Sequence, residues 1–168
     1  MTVRNGVFPE EKGLVASFFA FLVGNRAPWK SRSALQEFDY SSGRTDVLSL
    51  SHSNELIAFE AKLSNWRKAL HQAWRNTSYV NRTYVVLPRD KAAAALLHRQ
   101  EFEELGVGLC LVDETGVEVV IESQSKKPVI LWLHNKARKA LVTHGSGSDR
   151  DIGAHDLPTA PLRFHQAV

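Results

Sequence analysis

The chain has 168 residues, enough for one domain with a sizeable core, and its 43% hydrophobic and 23% charged residues are ordinary for a globular protein. A formal charge of +3 suits a polyanionic partner without demanding one. One cysteine, Cys110, excludes an intrachain disulfide, the seven histidines show no zinc spacing, and the apolar run FFAFLV is too short to span a membrane. The start, MTVRNGVFPEEKG, does not read as a signal peptide, so a cytoplasmic, reducing setting without membrane attachment is expected.

Residues 9 to 23 read as a helix. Pro9 suits its first turn, Glu10 and Glu11 suit its positive end, and Leu14, Val15, Phe18, Phe19 and Leu22 recur at helical spacing. Residues 34 to 40, 44 to 50 and 55 to 62 alternate as strands. The short turns at Ser41-Ser42-Gly43 and at Ser51 to Asn54 imply an antiparallel meander. A helix is expected over 65 to 79, capped by Ser64 or Asn65, with Trp66, Ala69, Leu70 and Ala73 as its apolar stripe. The strand TYVVL (83 to 87) follows, so 55 to 87 forms a βαβ unit. One helix is expected over 90 to 104, capped near Asp90 and ended by Gly106. Strands at 107 to 112 and 117 to 122 and a short helix from Leu131 to Val142 complete the domain, taken as residues 1 to 143. From His144 to Val168 the composition is Gly-, Ser-, Asp-, His- and Pro-rich, and a flexible tail is expected. The fold class is therefore α/β (α+β), a mixed central sheet flanked by helices.

The chemistry concentrates between Gly43 and Lys62. Asp46 follows a turn, and an otherwise apolar strand ends in Glu60-Ala61-Lys62. Side chains alternate along a strand, so Glu60 and Lys62 share a face, where two charges are costly unless bound or paired. A hairpin over Ser51 to Asn54 brings Asp46 within about one residue of Glu60. Two such carboxylates suit Mg²⁺ (or Mn²⁺), which takes oxygen ligands and leaves positions for water and phosphate. The carbonyl of Ala61 is a further candidate ligand. Lys62 would orient or deprotonate an attacking water, or steady a charged transition state.

An Asp near a hairpin followed by Glu-x-Lys on the next strand resembles the PD-(D/E)XK nuclease superfamily, over roughly residues 9 to 88. The resemblance implies a restriction endonuclease-like αβββαβ core and metal-dependent hydrolysis of phosphodiester bonds, with DNA the expected partner. Asp46, Glu60 and Ala61 would hold metal, and Lys62 would assist the water. The position before Asp46 is Thr45 rather than Pro. Members often carry a Glu on the first helix, filled here by Glu11 in preference to Glu10, and some carry an extra acid at the position of Glu37. A Gln in the helix after Glu-x-Lys is matched by Gln72. A Gln-x-x-x-Tyr pattern is not met, because Asn76 stands where Tyr would and the nearest Tyr is Tyr79. A homodimer would allow two strands to be cut.

Other residues read both ways. Lys68, Gln72 and Arg75 make one polar helix face, a solvated surface or a backbone-binding one, and Arg44 by the turn is a phosphate candidate. Glu37 has Arg32 and Arg44 as candidate ion-pair partners. Trp29 and Trp74 are open to base stacking, whereas Trp66 and Trp132 are expected in the core. Glu-x-Lys by itself is also what an ordinary surface ion pair looks like. Two alternatives therefore stand beside the nuclease: a non-cleaving nucleic-acid-binding module, and a regulatory subunit with an internally paired acidic face. No phosphate-cradling Gly-rich loop and no Gly-x-Ser-x-Gly occurs, which argues against ATP-driven and esterase roles.

Overall fold

Alternation along the central strands builds a six-stranded sheet in the order β1 (Ser31–Tyr40), β2 (Gly43–Ser51), β3 (Leu56–Ala61), β4 (Arg82–Pro88), β5 (Gly108–Val112) and β6 (Val117–Ile121). It is seen in a computed structural model that describes residues 7 to 146. Short turns make β1–β2–β3 an antiparallel meander. β3 and β4 run parallel, as do β4 and β5, and β5 pairs with β6 antiparallel. Parallel neighbours need crossovers. The first is α2 (Trp66–Asn76), and the second is α3 (Ala93–Leu97) with α4 (Arg99–Leu105). With α1 (Glu11–Val23) ahead of the sheet, the order is αβββαβ, followed by the α3–α4 crossover, β5, β6 and α5 (Leu131–His144).

Both sheet faces are covered. α1 lays Leu14, Phe18, Phe21 and Leu22 on Val47, Ile57, Phe59, Ala61, Tyr84, Val86 and Cys110. On the other face, α2 and α4 bring Trp66, Leu70 and Phe102 against Val85, Leu87, Leu109 and Leu111. α5 covers Leu48, Leu50, Leu56 and Ala58 beside them. Burial of this kind stabilises by about 25 cal/mol per Å² of apolar surface. No helix among the described residues is long and apolar enough to cross a membrane.

Four expectations are corrected. Pro9 lies outside α1, whose N-cap is Glu10 in an extended conformation, although Glu11 does occupy the first turn. The single helix over 90 to 104 is instead a 3₁₀ turn (Arg89–Lys91), α3 and α4. The cause of the second break is His98. Its ring packs on Trp66 and its Nδ1 lies 2.8 Å from the Ala94 carbonyl, the acceptor an unbroken helix would give its backbone N–H. That N–H goes to Ala95 instead, at 3.0 Å. Trp132 is 61% exposed rather than core, because Leu133, Ala137 and Leu141 form the buried stripe of α5 and leave it off that face. The helix over 65 to 79 stops at Asn76, so Tyr79 lies beyond it.

Gly106 ends α4 as expected. It sits at φ 70, a left-handed cap that favours glycine, and its N–H donates to the carbonyls of Glu103 and Phe102. The tail expected from His144 starts later: His144 ends α5 and Ser146 exchanges backbone hydrogen bonds with Ala34, while the remainder of the expected tail lies outside the described residues.

Candidate active site

The ladder between β2 and β3 runs from the Leu50–Leu56 pair to the Val47–Phe59 pair. One further step would set Asp46 opposite Glu60. There the side chain of Asp46 takes over, and its Oδ2 accepts the backbone N–H of Ala61 at 2.9 Å. β3 stays attached on its other side, where the Lys62 N–H donates to the Val86 carbonyl at 3.1 Å. The two acids therefore meet where β2 and β3 part. Alternation also breaks here. Val47 packs under α1 and Leu48 under α5, yet Thr45 bonds toward Asn76 and Tyr79 instead of sharing Val47's side. The facing strand is irregular too, since Glu37 has a positive φ of 56.

Glu60 is 1% exposed. Its Oε1 accepts from Asn76 Nδ2 at 2.6 Å, and its Oε2 is buried with no donor. Burial, then the neighbouring Asp46 charge and contact, push its carboxyl from the usual 4.5 up to about 8. Two carboxylates bond to each other only through a shared proton, so Oε2 lacks a donor whenever both are ionised. Asp46 is raised as well, by burial, while the Ala61 N–H and the Lys62 charge pull the other way.

Asn76 is itself held in one orientation. Its Oδ1 accepts from Thr45 Oγ1 at 3.2 Å and from Tyr40 Oη at 3.3 Å. Thr45 Oγ1 lies 2.7 Å from Tyr79 Oη, and because the Thr45 proton is spent on Asn76, the tyrosine is the donor. Donors thus run from Tyr79 through Thr45 and Asn76 to Glu60, and every one points toward the carboxylate. Sequence reasoning missed this chain. It registered Asn76 only as a departure from a Tyr pattern and Tyr79 as a Tyr out of place. The available signal was Asn76 following Gln72 by one helical turn.

Lys62, just past β3, forms an ion pair with Glu11 of α1. Gln72 of α2 has a buried Oε1 with no partner. Glu60, Gln72, Asn76, Tyr40, Arg44 and Arg75 line one cleft of about 60 Å³. Arg75 donates to the Ser42 carbonyl at 3.1 Å, and Arg44 stands 3.8 Å from exposed Glu37. Lys68 is exposed and does not line this cleft; its backbone N–H is capped by Asn65. Trp29 packs on Phe59 and Tyr84, while Trp74 is 46% exposed.

Among the described residues no three His, Cys, Asp or Glu side chains gather as a metal cluster. Asp46 and Glu60 supply two neighbouring carboxylates, which suit a hard cation that keeps waters rather than zinc. Gln72 shares the cleft with Glu60, although Asp46 and Lys62 do not line it. With both acids ionised, Glu60 Oε2 is a buried acceptor without a donor, as is Gln72 Oε1, and a cation or its water would satisfy each. The residues therefore fit such an ion.

No protein-family model and no curated protein matches the chain. Among solved structures, similarity is found to a repair endonuclease from Pyrococcus abyssi (16% identity, TM-score 0.44, 63% of this chain and 48% of that one). It is also found to EndoMS in a complex with double-stranded DNA (14%, TM-score 0.43, 76% and 48%). The chain spans about half the length of each. The SPO1766 protein of unknown function from Silicibacter pomeroyi matches at TM-score 0.55 and 19% identity, over 79% of this chain and 82% of that one, a likeness of fold.

Proposed function

We propose that the chain is a divalent-cation-dependent nuclease that hydrolyses phosphodiester bonds in DNA. The observation that carries this reading is the meeting of Asp46 and Glu60 at the parting of β2 and β3, with two buried acceptors that lack donors when both acids are ionised. Asp46, Glu60 and the Ala61 carbonyl would hold Mg²⁺ or Mn²⁺. Such an ion, when bound, neutralises charge on phosphate oxygens and lowers the pKa of its water.

The protein's own groups do the rest. Asn76 fixes Glu60 through Oε1, and Oε2 would remain to meet the ion. Glu11 holds the Lys62 ammonium beside the acids. An ammonium has three donors, so two remain to orient the attacking water or a phosphate oxygen. Gln72 Oε1 offers that water an acceptor. Arg44 and Arg75 at the cleft rim would receive the flanking phosphates, and Lys68 would add longer-range attraction.

A cleavage assay on a panel of DNA structures with Mg²⁺ tests this. Wild-type protein is expected to cut and to stop when EDTA is added. Lys62→Ala is expected to lose 100-fold or more of the rate, about 3 kcal/mol, while still binding DNA. Cleavage that survives EDTA or the Lys62 change contradicts the proposal.

A further inference from the structure

Next to the cleft lies a larger groove of about 490 Å³, and Tyr40 and Arg75 line both. The groove is basic. Arg75, Lys126 and Lys127 line it, and no carboxylate does among the described residues. The Lys126 ammonium is tied to the Leu105 carbonyl at 3.0 Å, but its charge stays in place. Trp74 stands on the wall of the groove, 46% exposed, at the edge of α2's buried stripe, one helical turn after Leu70. Val129, 79% exposed, adds apolar surface.

A half-exposed indole among cations and without acids is poor design for a solvated surface. It matches a chain that carries a negative charge on every unit and a flat π-face on every unit. A base presents that face only when it is unpaired and unstacked. A duplex would meet the cations alone and leave the indole unused. We infer that this groove binds an unpaired strand of nucleic acid, with Trp74 stacking on a base and Arg75 and Lys127 on phosphates, and delivers that strand to the cleft. The inference rests on the nuclease reading of the cleft but concerns what the adjoining groove holds.

The test measures binding by the full chain in EDTA, where no cleavage occurs, with fluorescence anisotropy on a labelled oligo-dT and on a blunt duplex of equal length. Trp74→Ala is expected to weaken oligo-dT binding about tenfold or more and to leave duplex binding within twofold. Trp74→Phe, which keeps a stacking ring, is expected to restore most of the loss. Lys127→Ala is expected to lower the salt slope for oligo-dT by about 0.7, the value for one single-strand phosphate contact. Equal losses on both probes, or none, overturn the inference. So does a Trp74→Ala protein whose sedimentation changes while its oligo-dT affinity does not, because the groove would then be a contact between copies of the chain. Single-strand binding through Trp74 in a protein that never cleaves refutes the nuclease reading alone; cleavage by a protein indifferent to Trp74 refutes the groove alone.

Discussion

Glu60 lies 1% exposed at the end of an apolar strand, and that placement has a pH signature. Its carboxyl is raised from 4.5 to about 8, so the fold prefers the protonated form. The stability this gives is complete below about pH 4.5 and is lost as pH rises through about 8. Asp46 is raised too and acts in the same direction. At about 1.4 kcal/mol per pKa unit, the loss amounts to a few kcal/mol. Urea unfolding of the cation-free protein is therefore expected to show falling stability across this window. Glu60→Gln, which keeps an acceptor for Asn76 but cannot ionise, is expected to flatten most of the slope; an unchanged slope would show that the raised carboxyl is not Glu60. The approach of Asp46 to Glu60 could be read from the sequence because turn length and register are local properties. Alternation put Lys62 on Glu60's face, whereas beyond β3 it pairs with Glu11 of α1 while Glu60 bonds to Asn76 of α2. The Asn76–Thr45–Tyr79 chain could not be read, because Thr45 departs from alternation where β2 leaves β3, and only the folded chain shows that departure.

At the scale of elements, α2 is the part on which the cleft depends, since it carries Gln72, Arg75 and Asn76. Its start was legible: Asn65 caps it and accepts the Lys68 N–H at 3.1 Å. Asn65→Ala is expected to cost about 0.5–2 kcal/mol in urea unfolding, with Asn65→Ser nearly neutral. Equal losses from both would place the effect elsewhere than the cap. The antiparallel meander and the β3–α2–β4 crossover were also legible, because period-2 and period-3.6 patterns with clear turns leave few other arrangements. The α3–α4 break was not. Its Ala- and Leu-rich stretch favours one unbroken helix, and the His98–Trp66 contact that overrides this joins residues from two crossovers.

At the scale of the molecule, helices seal both faces of the sheet, and the candidate site sits at the seam where two strands separate. α1 reaches one side of that seam through Glu11, and α2 reaches the other through Asn76 and Gln72. The cores on the two faces therefore fix the distance between acids, lysine and amides, and the site depends on the whole αβββαβ unit. In the proposed function, Asp46 and Glu60 would jointly hold one divalent cation. Calorimetric titration of the purified chain with Mn²⁺ at pH 8, with wild-type, Asp46→Asn and Glu60→Gln proteins side by side, tests that most directly. One ion bound per wild-type chain, with binding lost or weakened at least tenfold in both variants, is the expected result. Binding by either variant that equals wild type, or no binding by the wild-type chain, would contradict it.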